Sequence, residues 1–146
     1  MADTTADELA IRNLIAHLAH AADCAPLAEI DKEYLDCFTD DAHWEALPAA
    51  TAHGTFIQIR KGREDIRAGV IERRAKGWQG PGTNTLHLVT SIEVEVSGEQ
   101  AVGRSCFMLL GDLRTAPRIR NAGHYHDRFV RTAGGWRLAR RVMSQP

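Results

Sequence analysis

Asp23 and His87 are the residues of this chain best suited to proton chemistry. A histidine held beside a carboxylate acts as a general base near neutral pH, because the carboxylate fixes the ring tautomer and stabilises the imidazolium formed on proton uptake. Asp23 lies in the last turn of an apolar-periodic N-terminal segment, just ahead of Pro26, where the negative end of a helix macrodipole opposes a carboxylate. Local rule-breaking of this kind marks function. His87 opens a strand-like stretch after the loop Gln79-Gly80-Pro81-Gly82, which reads as the most flexible interior segment. Leu86, Leu88, Ile92, Val94 and Val96 define an apolar face that His87 does not share. Turning it toward the core requires a β-bulge near Thr90, or a pocket reached from the other face.

His124 and His126 stand two apart in Gly123-His124-Tyr125-His126-Asp127, so a strand directs both rings to one face. In a pocket, His124, His126 or Tyr125 could protonate or hold a departing oxygen. With His87 as a third ligand, the two histidines could instead hold a divalent metal. The plainer alternative is a polar sheet face exposed to water or to a second subunit. Arg140 shares strand parity with Trp136, Leu138 and Val142, which sets a permanent cation among apolar neighbours. It either pairs with a sheet carboxylate such as Asp127 or clamps an anionic leaving group or substrate carboxylate. By the same parity Arg137 and Arg141 face solvent. Arg63, Arg67, Arg73, Arg74 and Lys76 alternate with Glu64, Asp65 and Glu72 and read as a solvated helix face. His17 and His20 fall on the polar side of the first helix.

The elements that must position these groups are legible as patterns. Thr5 and Glu8 read as a capping box, followed by Ile11, Leu14, Ile15, Leu18 and Ala22 at helical spacing. A second helix is expected from Leu27 to Phe38, ended by Thr39-Asp40-Asp41. Short strands are expected at His43 to Leu47 and Thr55 to Ile59, then a third helix from about Arg63 to Lys76 that Gly77 closes. Four longer strands follow, near 84–96, 101–114, 118–132 and 136–143. Helices first and a strand meander afterwards predict an α+β domain with helices on one face of a curved sheet.

The 146 residues, 44% hydrophobic and 25% charged, suit one domain spanning 1–146. A formal net charge of −1 gives no general attraction to nucleic acid or anionic membranes, so a small-molecule or protein partner is expected. Cys24, Cys37 and Cys106 are odd in number and lack C-x-x-C spacing, as reduced thiols of a cytoplasmic protein would. No signal-like opening or membrane-length apolar run is visible. Phosphate loops, Gly-x-Ser-x-Gly elbows, dinucleotide fingerprints and His-Glu-x-x-His are absent, so covalent catalysis, nucleotide hydrolysis and hydride transfer have no residues to carry them. Neither a cofactor nor a metal is expected.

Together with the element order, Ile11-Arg12-Asn13-Leu14 ahead of Asp23, Phe38-Thr39-Asp40-Asp41-Ala42-His43-Trp44, Thr85-Leu86-His87 and Gly134-Gly135-Trp136-Arg137-Leu138-Ala139-Arg140-Arg141 carry a family likeness. The chain resembles, over nearly its whole length, the SnoaL-like branch of the nuclear transport factor 2-like (NTF2-like) superfamily. It looks most like the group of scytalone dehydratase and hexachlorocyclohexane dehydrochlorinase. That resemblance implies a cone-shaped α+β fold, N-terminal helices on a curved, mostly antiparallel sheet, with an Asp-His dyad for proton abstraction at Asp23 and His87. It also matches Arg140 to a pocket arginine that helps the leaving group, and His124 to a pocket-lining strand residue. Leu18 stands where the dehydrochlorinase has a pocket lysine, so dechlorination of that substrate is not implied. The expected activity is a cofactor-independent lyase of dehydratase or eliminase type, acting on a small, largely apolar cyclic or aromatic-derived substrate. The alternatives are an isomerase or polyketide-cyclase-like enzyme using the same base, and a catalytically silent ligand-binding or accessory subunit. A homo-oligomer is implied too, a trimer by the nearest group and a dimer by the wider superfamily.

Overall fold

Ile11, Ile15, Leu18 and Ala22 are buried along one side of the first helix, α1 (Thr5–Cys24), as their spacing requires. The structure is a computed structural model that describes residues 2–146. Its N-terminus is tied one residue earlier than the expected capping box: the Asp3 carboxylate accepts the Thr5 N–H at 2.9 Å, and the Thr4 hydroxyl donates to Glu8 at 2.7 Å. The expected second helix is broken. The chain makes a 3₁₀ turn (Leu27–Glu29), a single α turn, α2 (Ile30–Glu33), and another 3₁₀ turn (Leu35–Cys37). Phe38 is already in the sheet opposite Leu138, which forces extended backbone at the end of that stretch.

One six-stranded sheet follows, formed by β1 (Phe38–Thr51), β2 (Gly54–Lys61), β3 (Leu86–Ser97), β4 (Gln100–Gly111), β5 (Arg118–Thr132) and β6 (Gly135–Ser144). The strand order is β2-β1-β6-β5-β4-β3. β1 and β6 run parallel and every other pair is antiparallel. β1 and β2 run past the short strands expected for them, and Leu47 and Pro48 bulge out of their ladder. The third helix, α3 (Arg63–Ala75), connects β2 to the long meander. Gly77 ends it as expected: at φ +69° its N–H reaches the Arg74 carbonyl at 3.0 Å.

Both long helices lie on the same face of the sheet, α1 against β3 and α3 against β1 and β2. The core between them contains Ile11, Ile15, Leu35, Phe38, Ile66, Phe129 and Leu138, all nearly inaccessible. Two bulges decide which side chains reach this inner face. In β3 the register slips between Thr90 and Glu93, with Ser91 at φ +53°, so His87 and Val89 face inward before the bulge and Ile92, Val94 and Val96 after it. In β6 the pairs Phe129–Leu138 and Arg128–Arg140 leave Ala139 unmatched. Parity therefore inverts beyond Leu138, burying Arg141 and Met143 and leaving Arg140 exposed.

Candidate active site

The Asp23 carboxylate and the His87 ring meet at the junction of α1 and β3. Asp23 Oδ1 lies 2.6 Å from His87 Nδ1, and Asp23 Oδ2 accepts the His87 backbone N–H at 2.8 Å. Both side chains are enclosed, 4% and 11% exposed respectively. With a carboxylate as the acceptor, the ring hydrogen sits on Nδ1, and the neutral ring presents its lone pair at Nε2. Nε2 has no protein partner among the described residues, and the ring lines a cavity. The bulge at Thr90–Ser91, which the parity of the strand called for, is what turns this histidine inward.

Arg74 resolves the unfavourable placement of Asp23 at a helix C-terminus. Its guanidinium donates to the Ala25 carbonyl at 2.7 Å and to the Ala21 and Ala22 carbonyls at 3.2 and 3.3 Å. A cation thus offsets the partial negative charge of the exposed carbonyls beside which Asp23 must sit. The solvated helix face expected for α3 is accordingly corrected at two positions, Arg73 and Arg74. Arg73 is buried, 6% exposed, with its guanidinium carbon 4.8 Å from the centre of the Trp44 ring and Nη1 donating to Gln58 at 2.8 Å.

His87 opens onto a cavity of about 640 Å³, counted out to its mouth, walled by Trp44, Phe56, Trp78, Phe107, Leu109 and Met143. A second hollow, lined by Ile15, Leu18 and Val89, adjoins it. Trp44, Arg73, Gln79, His87 and Tyr125 border both. At the mouth His53 stacks on Trp78 with ring centres 5.4 Å apart and accepts from Arg120 at 3.1 Å, while Asp112 holds Arg120 at 2.6 Å.

Of the three candidates on β5, only Tyr125 lines this cavity. Its ring lies between Phe107, stacked at 4.4 Å, and the Arg141 guanidinium, 3.9 Å from the ring centre. Burial pushes its phenol well above the usual tyrosine range, so the hydroxyl stays a donor, and it has no protein partner among the described residues. His124 and His126 point to the opposite face of the sheet, with His124 3.7 Å from Cys106 Sγ and His126 exposed beside Arg104 and Arg140. Alternation along β5 sends Tyr125 and Asp127 inward and therefore both histidines outward. His87 is on the inner face, so the three histidines do not converge as a ligand set.

Arg140 is also corrected. The Ala139 bulge turns it outward, where its half-exposed guanidinium is 3.5 Å from Glu45. Arg141, which strand parity sent to solvent, is the buried one and pairs with Asp127 through two hydrogen bonds of 2.8 Å each. Arg73 was readable in principle: Ile66, Val70 and Arg73 share the i, i+4, i+7 stripe that faces the core.

Residues 3–142 match the SnoaL-like domain family. An NTF2-like protein with a cystatin-like fold from Novosphingobium aromaticivorans superposes with a TM-score of 0.76 at 20% identity, over 96% of this chain and 82% of that one. A candidate scytalone dehydratase from the same organism gives 0.70 at 23% identity, over 100% and 89%. The β subunit of a candidate aromatic-ring-hydroxylating dioxygenase, again from that organism, gives 0.71 at 20% identity, over 96% and 89%. No protein of curated function matches. The helix-then-meander order, the mixed sheet and the family match across residues 3–142 lead to one assignment: this chain, with its NTF2-like, cystatin-like fold, belongs to the SnoaL-like domain family.

Proposed function

We propose that this protein is a cofactor-independent lyase of the dehydratase type, in which His87 removes a proton from carbon of a small, largely apolar cyclic or aromatic-derived substrate. The observation that carries this reading is the double hold of Asp23 on His87, through Nδ1 at 2.6 Å and the backbone N–H at 2.8 Å, with Nε2 left to an aromatic-walled cavity. Asp23 sets the tautomer and stabilises the imidazolium once His87 is charged. Enclosure strengthens that attraction, because little water screens it. In the elimination, Nε2 takes the proton, the carbon–carbon double bond forms and the carbon–oxygen bond breaks. The imidazolium then returns the proton to the departing hydroxyl, which leaves as water. Tyr125, whose phenol burial keeps protonated, holds that oxygen as a donor, and of the three candidates His124, His126 and Tyr125 it is the one that lines the cavity. An isomerase would use the same base and return the proton to another carbon.

The likeness to a dioxygenase β subunit supports a second reading, a ligand-binding or accessory subunit without turnover. A panel of cyclic β-hydroxy ketones in deuterated water separates the two, with enone absorbance reporting elimination and deuterium at carbon reporting proton abstraction. His87→Gln and Asp23→Asn are expected to lower kcat/KM at least about 100-fold with unchanged circular dichroism. The ¹⁵N spectrum should place the His87 proton on Nδ1 in the wild type and lose that preference in Asp23→Asn. Turnover that survives either substitution removes the dyad. If the panel shows neither elimination nor exchange and both variants bind ligand like the wild type, the accessory reading stands.

A further inference from the structure

Three arginines line the cavity and its adjoining hollow, Arg73 bordering both, and among the described residues only two have a carboxylate as counter-charge. Arg141 is neutralised by Asp127 and Arg120 by Asp112. Among the described residues, no carboxylate forms an ion pair with Arg73, although it is only 6% exposed, about as deeply buried as Arg141. A guanidinium cannot shed its charge by deprotonation, and a buried cation without a partner is costly. Gln58 satisfies one nitrogen and the Trp44 ring faces the cation, but neither supplies negative charge. The neighbouring Arg60 adds like charge, although Glu72 and Asp65 pair with it. Burial, the largest influence on Arg73, works against its charged form.

The backbone makes room for this arrangement. Gly69 is a buried glycine inside α3, a position where glycine costs about 1 kcal/mol relative to alanine. A Cβ there would stand 2.9 Å from Arg60 Nε and 3.1 Å from Arg73 Nη1. The missing methyl group leaves room beside α3 for Arg60 and for Arg73, which lies over Trp44 and lines the cavity that His87 also lines.

We propose that Arg73 is an anion anchor for the ligand of this cavity, which is an aromatic or cyclic compound bearing a carboxylate rather than a neutral one. The planar fork of Arg73 takes the carboxylate while Trp44, Phe56 and Phe107 enclose the ring, and His87 meets the carbon skeleton from the β3 side. This inference rests on the cavity being the ligand site and is independent of which reaction His87 performs.

Its test compares 2-naphthoate with 2-naphthamide, which share a shape and differ in charge. Thermal denaturation and titration of the Arg73 Nε–Hε resonance, assigned with Arg73→Lys, supply the readouts. The wild type is expected to bind the naphthoate at least about tenfold more tightly than the amide, with the Arg73 resonance shifting only for the acid. Arg73→Met should abolish that preference and Arg73→Lys should keep part of it, while His87→Gln leaves it in place. Equal effects of the two compounds on the wild type, including none from either, overturn the proposal. So does a preference that vanishes in His87→Gln and persists in Arg73→Met, because the imidazole would then be the anchor. None of these outcomes bears on the His87 tautomer, so the base and the anion anchor can fail separately.

Discussion

At the scale of single residues, the same side-chain type does different work according to what neutralises it. Asp23 and Asp127 are both buried carboxylates, yet one orients a histidine and the other balances Arg141. Cys37 shows how burial, with neighbouring charges as lesser influences, sets reactivity. Burial pushes its thiol from 9.0 up to about 11, whereas Cys24 is exposed. Between those two pH values the unfolded chain has released the Cys37 proton and the folded chain has kept it. The folded state then binds more protons, and stability falls as pH rises from about 9 to about 11. Wild-type unfolding free energy, measured with denaturant, should therefore drop more steeply across that window than it does in Cys37→Ala. Parallel curves would contradict this. Tyr34, also raised by burial, contributes with the same sign but is present in both proteins. An alkylating reagent should modify Cys24 in the folded protein and reach Cys37 only on unfolding.

At the scale of elements, the site depends on two one-residue irregularities that differ in how readable they are. The β3 bulge announces itself, because His87 and the later run Ile92, Val94, Val96 cannot share a face without it. The β6 bulge leaves no such trace: Trp136, Leu138 and Val142 alternate without a break, so parity alone sends Arg140 inward. Only the tertiary pairing with β5 shows Ala139 to be the extra residue. Continuous helix was likewise the natural reading of Leu27 to Phe38, until the parallel pairing of Phe38 with Leu138 claims its end. The inward placement of Arg73 and Arg74 in α3 was hidden by the acidic residues among the basic ones, although the core-facing stripe and Gly69 both pointed to Arg73. Ser91, at φ +53°, offers a direct test of the β3 bulge. Ser91→Gly is expected to stabilise the fold by about 0.5–1 kcal/mol, since glycine adopts that backbone without strain. Deletion of Ser91 should instead remove the bulge, turn His87 to the outer face and abolish the Asp23-dependent tautomer preference in ¹⁵N spectra. A deletion variant that folds and keeps that preference would show that the bulge does not position the base.

At the scale of the whole molecule, the sheet has one face covered by helices and one left open. The open face carries Leu88, Val102 and Ile119, exposed by 44%, 53% and 58%, with Met108 and Leu110 half-buried among them. An apolar patch of this kind is what association between copies needs, and it gives the expected homo-oligomer a physical basis. Sedimentation should accordingly find a species at two or three times the 16.1 kDa monomer mass. Val102→Asp should shift it toward monomer while leaving the His87 tautomer unchanged. A wild type that sediments as a monomer at all concentrations would remove the expectation. Among the described residues, no helix is long and apolar enough to cross a membrane. His124 and His126 belong to this outer face, which accounts for their two-residue spacing without giving them a part in the cavity.

Arg74 ties together three pieces that are distant in sequence. It spans the C-terminus of α1, its own helix α3, and the loop before β3, where Gly80 at φ +102° packs against its side chain. A Cβ at position 80 would stand 3.0 Å from Arg74 Nε and 3.1 Å from Cγ. Position 80 is held to glycine twice over, by its backbone conformation and by the Arg74 side chain against it, so a change at 80 would disturb Arg74 and with it the end of α1. A protein engineer who alters this loop will therefore have to attend to the end of α1 in the same step.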